Sequence, residues 1–195
     1  MRLGLACVAG GGILLLGWRA AVHRWAAPAR EVLGSELTLR EGRLHRIGET
    51  SVPFTGVMVE RYPSQSLKSR SMISRGVLHG ISEGWHTNGQ VQVREHFKNG
   101  VSHGLRTKWH ENGVKMSEGT VVEGQFEGPF CRWHDNGVLA EEIRLEHGAP
   151  EGWSRSYYPS AFLKAQARFK GGEMTEQKFW KDGERYQTPD AEATD

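Results

Sequence analysis

The sequence has few cysteines and no excess of charge of either sign. Only two of the 195 residues are cysteine, Cys7 in an apolar leader and Cys131 far downstream, so we expect no disulfide framework. Lysine and arginine together number 25 against 23 aspartates and glutamates, which gives a formal net charge of +2. Domains that bind nucleic acid are usually strongly basic, so the composition predicts no nucleic-acid partner.

Motifs of known catalytic sites are also missing. The chain has no phosphate-binding loop, no Gly-x-Ser-x-Gly motif and no pair of carboxylates at a recognisable spacing. The sequence places no activating group beside Cys131, so we interpret this residue as a small buried apolar side chain and not as a nucleophile. We therefore expect no enzymatic activity, no cofactor and no metal.

Glycine, in contrast, is abundant, and its 25 copies recur at a fixed period. One glycine column, a second glycine column and an aromatic column each repeat every 24 residues, and an Asn-Gly pair follows the aromatic column in phase. Columns in phase are the signature of tandem repeats. We interpret the glycines as turns. The columns are Gly56, Gly80, Gly104, Gly128 and Gly152; Gly76, Gly100, Gly124, Gly148 and Gly172; Trp85, Trp109, Trp133 and Tyr157; and Asn88-Gly89, Asn112-Gly113 and Asn136-Gly137.

Residues within one repeat alternate between apolar and polar, which is the period of a β-strand. A three-residue loop formed by Thr87-Asn88-Gly89 pairs Trp85 with Val91 and keeps both on one face, whereas a two-residue loop separates them. By the same parity we expect Val93 and Phe97 on the face of Trp85. The sequence thus predicts an all-β fold of tandem 24-residue hairpins that form an extended, twisted antiparallel meander.

The chain before the repeats predicts a membrane-related segment. Residues 3–18 are apolar apart from small glycines and, as a helix, extend about 24 Å. We interpret residues 1–29 as a signal peptide or membrane anchor with an N-terminal hydrophobic helix, and a buried structural helix is the third alternative. The module is then membrane-anchored or exported to the cell envelope. Arginines after the segment favour cytoplasmic repeats, whereas a signal peptide exports them.

Three further regions follow. Residues 30–51 are a connector in which we expect a strand or hairpin that caps the array, because an end repeat otherwise exposes its edge. Residues 52–187 hold about five and a half repeats, and residues 188–195 form a polar tail that we expect to be disordered.

The pattern G…W…NG…G resembles the MORN-repeat variant. The stretch Pro53-Phe54-Thr55-Gly56, followed by Tyr62-Pro63-Ser64, is similar to the opening of the YwqK family of antitoxins. This resemblance implies a protein that binds and restrains a toxin, and MORN repeats are associated with scaffolding and membrane proximity. It supplies no catalytic residues. The chain departs from the pattern where Ser64-Gln65 and Ser160-Ala161 replace Asn-Gly, and where the last unit comes early.

The histidines His86, His110 and His134 form a column that could suggest a metal site. Equivalent positions in successive hairpins lie two strands apart, about 9.5 Å, whereas a shared zinc holds its nitrogens at about 2 Å. We therefore interpret them as exposed histidines beside the turns. The aromatic column has two interpretations, a stacked spine that covers one sheet face or a partly exposed groove that receives a partner.

Basic side chains occupy the opposite parity from the aromatic column. They predict a basic face, which is either simply solvated or binds an acidic protein or an anionic lipid surface. Our leading hypothesis is a non-catalytic, protein-binding repeat module with an antitoxin-like role, attached to or exported across the membrane. The alternative is a structural envelope protein that contacts anionic lipid or polysaccharide. The candidate partner-binding residues are Arg94, Arg106, Lys108, His110, Arg132 and His134.

Overall fold

The computed structural model of the protein describes residues 31–49 and 51–185. The predicted N-terminal helix, within residues 1–29, and the tail at 188–195 lie outside the described residues. Within the described range, no helix has the length and apolar character needed to cross a membrane.

Fifteen strands account for nearly all regular structure in this range, and one short 3₁₀ helix, Gly34–Glu36, is the exception. The strands are β1 (Glu31–Leu33), β2 (Leu37–Arg40), β3 (Arg43–Arg46), β4 (Gly56–Arg61), β5 (Leu67–Ser74), β6 (Val77–Trp85), β7 (Val91–Lys98), β8 (Val101–Ser102), β9 (Gly104–Trp109), β10 (Lys115–Val122), β11 (Gln125–Trp133), β12 (Leu139–Glu146), β13 (Ala149–Tyr157), β14 (Leu163–Lys170) and β15 (Glu173–Phe179).

One sheet contains every strand except β2 and β3, which form a separate hairpin. From β4 to β15 the strands follow one another in chain order and pair antiparallel, with the two-residue β8 beside β7. Strand β1 pairs parallel with β4 at the start of the sheet. The prediction of a mostly antiparallel meander built from hairpin repeats is therefore confirmed.

The Asn-Gly turns have the predicted three-residue geometry. Gly89 has a φ of +85° and donates its N–H to the carbonyl of His86 at 2.9 Å, and Trp85 pairs with Val91. A left-handed residue at this position closes a type I turn into a hairpin, and glycine adopts it without a steric penalty. Gln65 and Ala161, where the sequence departs from Asn-Gly, adopt the same conformation, with φ values of +68° and +69°.

The second glycine column forms the opposite row of turns. Asn99 and Gly100 have φ values of +52° and +87°, and Lys98 pairs with Val101 across them. Two consecutive residues with positive φ define the type I′ turn, whose twist matches that of the flanking strands. Each hairpin therefore joins the next through a two-residue loop.

The first glycine column does not form turns, contrary to the prediction. Gly80 lies inside β6 with a φ of +95°, where the register with β5 shifts between the Ser71–Ser82 and Ile73–Leu78 pairs. Its equivalents are also left-handed, with φ values of +120°, +80° and +77° at Gly104, Gly128 and Gly152. Glycine is needed there because the strand bulges.

A second irregularity changes which residues share a face. The register of β6 and β7 shifts between Gly84 and Trp85, so Gly84 pairs with Val93 and Gly80 pairs with Phe97. Val93 and Phe97 therefore lie on the face opposite Trp85, and the expectation that all three share one face is wrong. A single inserted residue reverses the parity of the strand beyond it.

The apolar core lies at the N-terminal end, where the β2–β3 hairpin covers the first strands of the meander. Val32, Phe54 and Ile73 are at most 6 % exposed, and partly buried apolar side chains pack around them. A hairpin was expected in this connector as a cap, and β2–β3 occupies that place. The surrounding side chains are Leu37, Leu44, Met58 and Leu78.

Candidate protein-binding surface

The three predicted histidines link successive repeats. Nε2 of His86, His110 and His134 lies 2.9 Å from the carbonyl oxygen of Trp109, Trp133 and Tyr157, respectively. Because a carbonyl only accepts, each Nε2 carries the proton and donates. The side chain of His86 is only 10 % exposed, so these residues are not the exposed histidines that the sequence predicted. No group of three His, Cys, Asp or Glu side chains in residues 31–49 and 51–185 is arranged to hold a metal.

Two tyrosines that we did not predict belong to the same column. The Tyr62 hydroxyl donates to the carbonyl of Trp85 at 2.7 Å, and the Tyr158 hydroxyl to that of Trp180 at 3.1 Å. Their positions continue the 24-residue spacing of the histidines in both directions. That spacing was the available signal. Imidazole and phenol share a donor at the end of a flat ring, which explains why either residue serves here.

The turn asparagines form a parallel ladder. Asn88 Nδ2 donates to the carbonyl of Glu111 at 2.7 Å, while its Oδ1 accepts from the N–H of Gln90 at 3.0 Å. Asn112 and Asn136 make the same bonds one repeat further along, to Asp135 and Pro159. Asparagine therefore both shapes its own turn and binds the next one.

The type I′ turns, which lie at the strand ends opposite the Asn-Gly turns, are also linked by hydrogen bonds between repeats. The Gly100 N–H donates to the carbonyl of Leu78 at 2.7 Å, and the His147 N–H donates to Glu127 Oε2 at 2.8 Å. Both ends of every hairpin are thus hydrogen-bonded to a neighbouring repeat. The polar groups of the turns are consequently used in hydrogen bonds between repeats.

The aromatic column is half-buried, and its rings do not stack on one another. The Arg94 guanidinium lies 5.9 Å from the centre of the Trp109 ring, and the Lys115 ammonium 5.1 Å from that of Trp133. The intervening strands place these cations between the tryptophans, where the ring faces attract them. This arrangement explains Lys115, which stands on the nominally apolar parity.

Tyr157 ends the aromatic column in a more polar setting. Its hydroxyl donates to Glu142 Oε1 at 3.0 Å, and Arg155 pairs with the same carboxylate at 3.3 Å. Partial burial, followed by the hydrogen bond and charge of Glu142, raises the pKa of Tyr157 to about 12. The phenol therefore stays protonated throughout the neutral range.

The structure does not bring the predicted basic residues to one face. Arg94 lies on the face of Trp109 and pairs with Glu83 at 2.8 Å. Arg106, Lys108 and Arg132 lie on the opposite face, because the bulge reverses the parity of β7. His110 and His134 stand in the turns, with Nε2 already bonded.

Carboxylates from neighbouring strands accompany the arginines. Arg106 Nε is 3.5 Å from Glu95 Oε2, and Arg132 Nη1 is 3.6 Å from Glu141 Oε2. This face therefore carries both positive and negative charges and is not a basic surface.

An open groove of about 610 Å³ lies on this second face, beside the turns of β9 to β14. Met116 and Ala140 line it with apolar groups, Arg132 and Lys164 with cations, and Asp135 and Glu141 with carboxylates. Met116 and Ala140 are the residues that the strand bulges insert after each Asn-Gly turn. We call this surface the bulge groove.

Cys131 lies outside this groove. It is 5 % exposed and disulfide-bonded, which the sequence did not lead us to expect. It therefore offers no nucleophile for covalent chemistry.

Comparison with known proteins identifies the repeat. The MORN repeat variant matches residues 78–99 and 102–123. The first match covers the hairpin of β6 and β7, and the second covers the hairpin of β8, β9 and β10. No curated protein matches the chain. MORN repeats are generally non-enzymatic modules that bind proteins or membranes. The two hairpins at residues 78–99 and 102–123 are thus similar to the MORN repeat variant.

Proposed function

We propose that this chain is a non-catalytic module that binds a folded protein partner through the bulge groove. The observation that carries the proposal is the mixed lining of that groove, in which apolar, cationic and anionic side chains adjoin. A protein surface offers complementary groups for all three, and the partner-binding centre of an interface is usually apolar with a polar rim.

The charges of this face favour a protein over an anionic surface. Arg132 is paired with Glu141, and Asp135 adds a further carboxylate beside the turn. A lipid headgroup or an acidic polysaccharide has to approach these carboxylates as well as the cations, which costs electrostatic energy. The structural envelope role is therefore the weaker alternative.

The partner class and the location are proposed from the sequence. The similarity to YwqK-family antitoxins makes a toxin the first protein to test. The apolar segment at residues 3–18 attaches the module to a membrane or directs its export, so the partner is sought at the cell envelope.

The proposal is tested by site-specific photocrosslinking in the native host. A photoreactive residue replaces Ala140 in the groove. In the matched control the same photoreactive residue replaces Glu123, which is exposed in the type I′ turn between β10 and β11. We expect position 140 to capture one protein that position 123 does not. The captured protein is then purified and titrated against the full chain.

Binding of the purified partner should be lost in the Met116→Asp and Arg132→Glu variants and retained in Glu123→Lys. Equal binding by all three variants contradicts the groove as the site. If position 140 captures only lipid, and anionic vesicles bind the chain in a manner that Lys108→Glu and Arg132→Glu abolish, the lipid alternative replaces the proposal.

A further inference from the structure

The C-terminal edge of the sheet is open over the residues that the structure describes. Strand β15 is the last in the sheet order and pairs only with β14 there. All seven of its residues are exposed, with Phe179 at 66 % and Met174 at 52 %. The opposite edge ends differently, because the short β1 lies parallel to β4 beneath the cap hairpin. An exposed edge strand is a template for another strand.

The backbone of β15 shows which groups are available. The Trp180 N–H donates to the carbonyl of Lys164 at 3.0 Å, and Gln177 pairs with Ala167 in the same register. In an antiparallel ladder the residues alternate between those bonded to one neighbour and those bonded to the other. The N–H and C=O of Gln177 and Phe179 therefore point away from β14, toward the open side.

The side chains of β15 discriminate among the possible partner registers. If two copies of the strand pair about Glu176, the Glu176 carboxylate of one copy faces the Glu176 carboxylate of the other. If they pair about Lys178, the two Lys178 ammonium groups face each other. Pairing about Gln177 sets Glu176 of each copy opposite Lys178 of the other. It also sets the outward-facing groups of Gln177 against each other, so two backbone hydrogen bonds form at the axis. Opposite charges stabilise a cross-strand pair and like charges destabilise it.

We propose that β15 pairs antiparallel with β15 of a second copy of this chain, about a two-fold axis at Gln177. This contact is independent of the bulge groove, whose lining does not include β15. Because the same strand is used by both copies, the contact is isologous and closes at a dimer. The two arrays then continue as one sheet across the axis.

Charge exchange tests this register. The full chain is purified in detergent, and its mass is measured by light scattering over a concentration series. We expect a dimer for the natural sequence. Glu176→Lys and Lys178→Glu each create two like-charge pairs, and each should raise the dimer dissociation constant about tenfold or more. The double variant Glu176→Lys/Lys178→Glu restores both pairs and should dimerise again. Lys98→Glu, an exposed reversal on β7, is the matched control.

A mixture of the two single variants gives the sharpest result. We expect a heterodimer from this mixture under conditions where each variant alone is monomeric. Gln177→Pro removes only an outward-facing N–H, so it should abolish the dimer while the thermal transition of the monomer is retained. A monomeric natural chain overturns the proposal. So does a dimer that all of these β15 variants leave unchanged.

Discussion

The N-terminal cap and the central repeats are stabilised by different means. Among the residues that the structure describes, five of the nine buried apolar residues lie between residues 32 and 73, and three of these five belong to one cluster. From residue 77 to residue 157, only Val121 and Cys131 are buried apolar residues. There the sheet is a single layer, linked along both rows of turns by hydrogen bonds from one repeat to the next.

This difference shows how a repeat array without a large core holds together. Each repeat contacts only its neighbours, so its stability depends on an interface term that recurs with the period. In this chain that term includes the strand pairing between successive hairpins, the His or Tyr bond, the Asn bonds and the turn N–H bonds. The cap instead supplies apolar burial, which the first strands of a single-layer sheet cannot provide for themselves.

The largest effect is expected from a cavity in the cap. Ile73 is 2 % exposed, and truncation of such a side chain removes its transfer free energy and leaves a cavity. Ile73→Ala should lower the free energy of unfolding by about 3 kcal/mol, measured by urea denaturation. Leu105→Ala, which truncates a side chain 48 % exposed in the array, should change it by less than about 0.5 kcal/mol. If both variants lost the same free energy of unfolding, apolar burial would not distinguish the cap from the central repeats.

A smaller effect is expected from the inter-repeat ladder. His110→Ala removes the donor to the Trp133 carbonyl and should cost about 1 to 2 kcal/mol. His110→Tyr should recover most of that loss, because Tyr62 and Tyr158 make the equivalent bond at the ends of the same column. Amide hydrogen exchange in β9 to β12 is the second measurement. If the Tyr variant is as unstable as the Ala variant, packing of the imidazole rather than its bond stabilises the array.

The repeat period made the hairpins predictable. Aromatic, asparagine and glycine columns at one spacing define the unit, and the position of Val91 relative to Trp85 selects the three-residue loop. The same period also contained Tyr62 and Tyr158, whose equivalence to the histidines becomes visible once the turns are superposed.

The face of each strand and the position of the core were not predictable in this way. No particular residue type marks the position of a bulge in the sequence. Val93 and Arg94 therefore lie on the faces opposite to those that parity predicts. The bonding of His86 depends on how closely two turns approach. Val32 lies before the repeats, whereas Phe54 and Ile73 lie in the first repeat and are buried with it in the cluster at the cap, a contact that the period does not mark.

The turn of the last complete hairpin offers a stabilising substitution. Ala161 has a φ of +69°, a left-handed conformation that is unfavourable for any residue with a Cβ. Ala161→Gly should raise the free energy of unfolding by roughly 0.5 to 1 kcal/mol in urea denaturation. Gly137→Ala is the reverse change in an equivalent turn, where the added Cβ meets only Val114 Cγ1 at 3.9 Å. A loss of similar size there would assign both effects to the backbone.

Alkaline pH should weaken the array through Tyr157, whose pKa is raised to about 12. Below the ordinary tyrosine pKa of about 10 the phenol is protonated in both the folded and the unfolded chain, so its contribution is fully present. Between these values the unfolded chain loses the proton first, and stability falls as the pH rises through the folded pKa. Tyr157→Phe removes this titration, so its free energy of unfolding should decline less steeply above pH 10 than that of the natural chain. Tyr62→Phe, which removes a hydroxyl bonded to a carbonyl, is the control for loss of a phenol. A decline of the same slope in Tyr157→Phe and the natural chain would show that the Glu142 contact does not hold the proton, and that the array loses stability at high pH through other groups.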